Sequence, residues 1–132
     1  MNKKHDDVIE TLKSAHICLN QFLSFGTGVL GIEGMAARCA TLMSADPSLE
    51  PSIPRPLAEV TPWLITGVDE IYENLKKLLD DRDLLRAYAE AGYKYALQNY
   101  SYVPATKRLV LKLRDFGFFS NLSHEMDPIC VD

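Results

Sequence analysis

No apolar run in this sequence approaches the roughly 18 residues that a membrane-spanning helix needs. Basic residues form no block, and the formal net charge is -4. A nucleic-acid surface needs a basic stripe, so that class of partner is not expected. Cysteine is scarce: Cys18, Cys39 and Cys130 are odd in number, and their spacing matches no metal motif. Neither a disulfide framework nor a metal centre is expected. Cys18 and Cys39 lie in apolar stretches, where cysteine acts as a small buried hydrophobe. No apolar segment follows the charged start Met1–Asp7, so no secretory signal is visible. A reducing, cytoplasmic setting is the expectation. His5, His16 and His124 are scattered, and no role is assigned to them.

What is present suffices for one domain with one core: 132 residues, of which 47% are hydrophobic and 24% charged. Residues 6–15 read as a helix with Val8, Ile9 and Leu12 on one face and Asp6 and Asp7 at its positive end. Residues 17–22 form a short apolar run suited to a buried parallel strand. A glycine-rich turn follows, then a helix over 29–38 with Ile32, Met35 and Ala36 on one side, and a second strand over 40–43. Pro47, Pro51, Pro54, Pro56 and Pro62 make 46–62 an irregular surface loop. A third strand, 63–66, precedes a helix in which Val68, Ile71, Tyr72, Leu75, Leu78 and Leu79 recur at helical spacing. Asp80-Asp81 breaks that pattern. The next helix runs over 82–99 with Leu84, Leu85, Tyr88, Ala91 and Tyr95 inward. A last one is capped by Ser101, carries Pro104 in its first turn and ends at Gly117. Tyr88, Tyr93, Tyr95, Tyr100 and Tyr102 are read as packing residues.

Strands alternating with helices predict an α/β fold: a small, three-layer, Rossmann-like parallel sheet of about three strands with a helical C-terminal half. The expected division is 1–117 for this domain and 118–132 for an irregular tail, docked by Phe118, Phe119 and Leu122 if ordered.

The turn Gly26-Thr27-Gly28-Val29-Leu30-Gly31 spells the dinucleotide fingerprint G-x-G-x-x-G. Its surroundings fit poorly. Leu23-Ser24-Phe25 intervene between strand and first glycine, and only about two helical turns follow the third. Glycines before a helix start still let backbone N–H groups approach an anion, and the helix dipole favours negative charge there. A tight strand-to-helix turn is the alternative reading of Gly26, Thr27 and Gly28. Glu33, further along the same helix, has the chemistry to accept two hydrogen bonds from a ribose diol; a glutamate that simply interacts with the helix dipole is the alternative reading.

The segment Ala15–Asp46, with Glu33-Gly34-Met35-Ala36-Ala37-Arg38-Cys39-Ala40-Thr41 at its centre, resembles the donor-binding part of retaining glycosyltransferases of the GT-B fold, in the large family 4 group. Their pattern is a short strand, a glycine turn and then E-A-M-A-x-G-x-P-V. The segment Gly67–Leu113, with Leu78-Leu79-Asp80-Asp81 and Asn99-Tyr100-Ser101-Tyr102, is similar to that family's C-terminal helices. The resemblance covers residues 8–116. It implies a partial GT-B C-terminal domain with a nucleotide-sugar donor, a UDP- or GDP-sugar, as substrate. It implies no cofactor besides. Glu33 matches the glutamate that holds the donor ribose, Gly28 the glycine beside the donor diphosphate, and Gln21 a polar residue at the strand end. Phe25 stands where the family's first glutamate would fall, Arg38 where it has glycine and Ala40 where it has proline. No catalytic residue is assigned.

A hexosyltransferase of this kind acts only when an acceptor domain closes over the donor, so transfer is expected only together with such a partner. The alternative is a non-catalytic interaction module derived from such a domain, associating with a second copy through an exposed sheet edge. A dinucleotide-binding protein is the third reading.

Overall fold

The run Ala40-Thr41-Leu42-Met43 shows no polar alternation, and it forms the centre of the sheet. The structure, a computed structural model, describes residues 4–55 and 61–118. Ala40–Met43 is β2, buried at every position, and a strand buried on both faces needs cover on both. β1 (Ile17–Leu19) pairs with it in parallel, Ile17 opposite Ala40 and Leu19 opposite Leu42. β3 (Leu64–Ile65) pairs in parallel on the other side, Leu42 opposite Leu64. The order β1-β2-β3 makes the expected small parallel sheet.

The two outer strands are shorter than their apolar runs. Asn20 still donates its backbone N–H to the Leu42 carbonyl at 3.0 Å. Its side-chain amide, however, turns to the Thr27 carbonyl at 2.5 Å, and the chain leaves the ladder there. At β3, the Thr66 N–H reaches the Met43 carbonyl at 2.9 Å just beyond the strand.

Helices cover both faces. They are α1 (His5–Ser14), α2 (Gly28–Ala36), α3 (Ile71–Asp80), entered by a 3-10 turn (Val68–Glu70), and α4 (Arg82–Tyr100). Val8, Ile9 and Leu12 of α1 pack with Cys18 and Cys39, as the periodicity predicts. Met43 clusters with Met35 of α2 and with Trp63, Tyr95 and Ala96. Its neighbour Leu42 joins Ala40, Leu64, Leu75 and Leu78 in a separate cluster. Helix α4 serves both, placing Leu84, Leu85 and Tyr88 in the second cluster and Tyr95 in the first. It starts after Asp81, whose Oδ1 accepts from the N–H groups of Asp83 at 3.0 Å and Leu84 at 2.9 Å. The Asp80-Asp81 break is therefore an N-cap.

Several expectations need correction. The proline segment is more than a surface loop. Pro47, Ile53 and Pro62 are buried, the Trp63 indole donates to the Ala45 carbonyl at 2.8 Å, and the Tyr95 hydroxyl donates to the Pro54 carbonyl at 2.6 Å. Pro56 lies outside the described residues. Ala36 and Ala91 are exposed. Gly92 takes the inward place on α4, where a Cβ would meet Met35 Cγ at 3.0 Å and the Pro62 carbonyl at 3.1 Å. On the 3-10 turn and α3 the apolar stripe is wider than the surface that covers it, so Val68, Tyr72 and Leu79 face outward.

The chain divides into two compact units, Met1–Ser101 and Tyr102–Asp132. The described part of the second is α5 (Tyr102–Asp115) and the residues that end it. Gly117 has φ 82; its N–H donates to the Arg114 carbonyl at 2.8 Å, and the Phe118 N–H to the Leu113 carbonyl at 3.0 Å. That pair of bonds is the Schellman motif, and it places the expected glycine C-cap. Ser101 stands between α4 and α5 with extended backbone, and its hydroxyl donates back to the Leu97 carbonyl at 2.6 Å, closing α4. Phe119, Leu122, His124 and Cys130 lie outside the described residues.

Candidate functional site

The glycines of the turn do three different jobs. Gly28 opens α2 at φ 60, in the left-handed region that glycine enters without strain. Gly26 is half-buried, its N–H 3.4 Å from the Ser24 hydroxyl, and nothing lies nearer than 4.0 Å to a built Cβ. Gly31 and Gly34 are spacers: a Cβ on Gly31 would lie 2.5 Å from Asn20 Nδ2, and one on Gly34 2.7 Å from Cys18 Sγ. With Gly31 and Gly34 on one face, α2 sits directly on the end of β1. The third glycine of the apparent fingerprint is thus a packing residue of a longer glycine stripe.

Thr27 is buried and holds the N-cap position with helical backbone angles, its side chain making no cap bond. Its carbonyl is tied to Asn20. Gln21, at the strand end, is exposed; its carbonyl accepts the Ser44 N–H at 3.1 Å, joining the carboxyl ends of β1 and β2. The Ser44 hydroxyl also donates to the Ser24 carbonyl at 2.6 Å. The turn before α2 is therefore held by Asn20 and Ser44 at the carboxyl edge of the sheet. That edge is where α/β folds place their ligands.

The charge pattern sets the start of α2 apart from the other helices of this unit. Acidic residues occupy the first turns of α1 (Asp6, Asp7), the 3-10 turn (Asp69, Glu70), α3 (Glu73) and α4 (Asp83). The first turn of α2 has none and no side-chain cap. Its N–H donors and the positive end of its dipole remain available to an external anion. Leu19, Leu23, Phe25 and Val29 are exposed apolar residues on the same stretch of chain.

Glu33 is the sixth residue of α2, about 7–8 Å along the axis from Gly28 at 1.5 Å per residue. Its Oε1 lies 2.6 Å from Nε2 of His5, the first residue of α1. Glu33 is mostly covered at 20% side-chain exposure, and His5 is open at 69%. Its hydrogen bond to Glu33, then the charge of that carboxylate, holds the His5 imidazole above its ordinary 6.5. Sequence reasoning missed His5: the contact spans 28 positions, and no local pattern marks it. Asn20 and Ser44 were missed for the same reason.

Arg38, where the resembling family has glycine, is a non-glycine residue at positive φ, 63°. The N–H of Arg38 reaches the Met35 carbonyl at 3.0 Å and that of Cys39 the Gly34 carbonyl at 2.9 Å. This is a second Schellman turn, with arginine in the glycine place. Cys18 and Cys39 are buried free thiols. Burial, then the nearness of Cys39, pushes the Cys18 thiol up to about 11. Among the described residues no group of three or more His, Cys, Asp or Glu is placed to hold a metal ion. No helix among them is long and apolar enough to cross a membrane. Comparison with protein-family models, curated proteins and solved structures finds no match to this chain.

Proposed function

We propose that the carboxyl edge of β1 binds the diphosphate and ribose of a nucleotide-sugar. In this reading the chain is the donor-binding part of a GT-B, family 4-like glycosyltransferase. Sugar transfer then requires an acceptor domain to close over the donor. The observation that carries the reading is the start of α2, with a left-handed Gly28, no cap and no acidic residue in its first turn. A diphosphate there would accept backbone hydrogen bonds and lie in the favourable end of the helix dipole. Glu33, one and a half turns on, is at the right remove for the 2′,3′-diol of the attached ribose. Gly26, Thr27 and Gln21 line the approach. His5 engages only Oε1 of Glu33, and a carboxylate has further acceptor sites for the hydroxyls of a diol.

Thermal unfolding with UDP, GDP and NAD tests this. UDP or GDP should raise Tm, and Glu33→Ala should weaken binding about ten- to hundredfold, the loss of charge-assisted hydrogen bonds. Selective stabilisation by NAD would sink the reading.

A second reading, a non-catalytic interaction module, draws on the exposed Leu19, Leu23, Phe25 and Val29 beside the open edge of β1. No response to any nucleotide, with a dimer in solution, would favour it.

A further inference from the structure

Helix α5 (Tyr102–Asp115) has no buried residue. Projected at about 100° per residue, most of its apolar side chains fall on one arc roughly 160° wide, which also takes in Thr106, while Leu111 and Pro104 lie on the opposite face. That arc holds Ala105, Phe116, Leu109, Tyr102, Leu113, Val110 and Val103 in angular order. Of these, Tyr102 is 82% and Phe116 79% exposed, and Val103, Leu109 and Val110 are exposed as well. The charged residues mark its two borders. Arg114 and Lys107 flank one side and Lys112 the other, with the acid Asp115 on the face between them. The Schellman turn at Gly117 ends the helix and leaves Phe118 exposed beyond it.

We propose that α5 is an interfacial helix that binds the surface of an anionic lipid membrane. An apolar arc entering the headgroup boundary, with basic residues on both shoulders, is the arrangement that lets Lys and Arg stems lie along the apolar surface while their charges meet lipid phosphates. Tyr102 at one end and Phe116 and Phe118 at the other supply the aromatic residues that favour this depth. The same charges argue against a second copy as occupant. A helix pair needs complementary charges beside a narrow seam, whereas two α5 helices would bring like-charged shoulders together. The inference does not depend on nucleotide binding.

Flotation of the full chain with sealed vesicles tests it, using phosphatidylcholine alone and phosphatidylcholine mixed with phosphatidylglycerol. The chain should float with the anionic vesicles and be left behind by the neutral ones. Binding should fall as salt is raised from about 0.05 to about 0.5 M, because the screening length shortens. Leu109→Glu with Phe116→Glu should abolish flotation. Lys107→Glu with Arg114→Glu should weaken it at least about twentyfold, since each surface basic residue contributes about fivefold. Lys107, Leu109 and Arg114 are on a helix without buried residues and Phe116 is exposed just beyond it, so far-UV circular dichroism should be unchanged. Leu23→Glu, an exposed apolar residue of the other unit, should leave flotation intact. Equal flotation with neutral vesicles, insensitivity to the α5 changes, or no flotation together with a dimer by light scattering would each overturn the proposal.

Discussion

His5 Nε2 lies 2.6 Å from Glu33 Oε1, so the start of α1 is pinned to the middle of α2. The imidazole is held above its ordinary 6.5 by that hydrogen bond, then by the Glu33 charge, with Asp6 adding to it. A group whose folded pKa is raised contributes stability that is fully present below its unfolded pKa. That contribution is lost as pH rises through the folded pKa. His5→Ala should therefore be less stable than the parent at about pH 5.5, and the gap should close by about pH 9. Urea midpoints of both proteins across this range check it. A gap that stays constant with pH would show that the pair does not titrate as described.

Arg38 carries the strain of a left-handed backbone, φ 63. It also places its guanidinium 3.7 Å over the Tyr93 ring and pairs with Glu90 at 2.5 Å. Arg38→Ala keeps the strain and loses both contacts, at a cost of about 1 kcal/mol for an exposed ion pair and a surface cation–π contact. Arg38→Gly loses the same contacts but relieves about 1 kcal/mol or more of backbone strain. The glycine variant should thus be the more stable of the two by about 1 kcal/mol in chemical denaturation, the reverse of the usual helix ranking. An alanine variant equal to or better than glycine would contradict the left-handed assignment.

Gly34→Ala should destabilise even though alanine is the better helix former. A Cβ there meets Cys18 Sγ at 2.7 Å and Cys18 Cβ at 2.8 Å, and the strand cannot retreat without breaking its pairing with β2. A loss of about 1–3 kcal/mol is expected from such overpacking. Gly26→Ala, with 4.0 Å of clearance, should change stability little. Equal effects at the two positions in urea unfolding would refute the close helix–strand contact.

Cys18 and Cys39 are buried, and the Cys18 thiol is pushed up to about 11, first by burial. The thiolate is the reactive form. In a Cys130→Ser chain, a thiol reagent at about pH 8 should find no reactive group until the protein unfolds. Prompt stoichiometric reaction of the native chain would show that the α1–β1–α2 cluster is open.

Much of the architecture follows from short-range pattern. The segment Ala40–Met43 reads as a short strand, and the structure returns those bounds. Asp81 stops one helix and caps the next through bonds to residues two and three positions on. Gly117 ends α5 by a local turn. The candidate site was legible in part: the glycine turn and Glu33 stand out in sequence. The amide of Asn20 that ties the turn down, the hydroxyl of Ser44 and the imidazole of His5 do not. Their roles depend on partners brought close only when the sheet forms.

The sequence by itself determined the element order, the strand over 40–43 and the end of the last helix at Gly117. Each of these rests on hydrogen bonds and apolar spacing within a few residues. Only the tertiary structure decided which part of the α3 stripe is covered and that Gly92 rather than Ala91 faces inward. It also made Gly31 and Gly34 spacers, put Arg38 in a glycine's conformation and set His5 on Glu33. Each of these is fixed by contact between segments distant along the chain, where packing against the opposing surface overrides local preference.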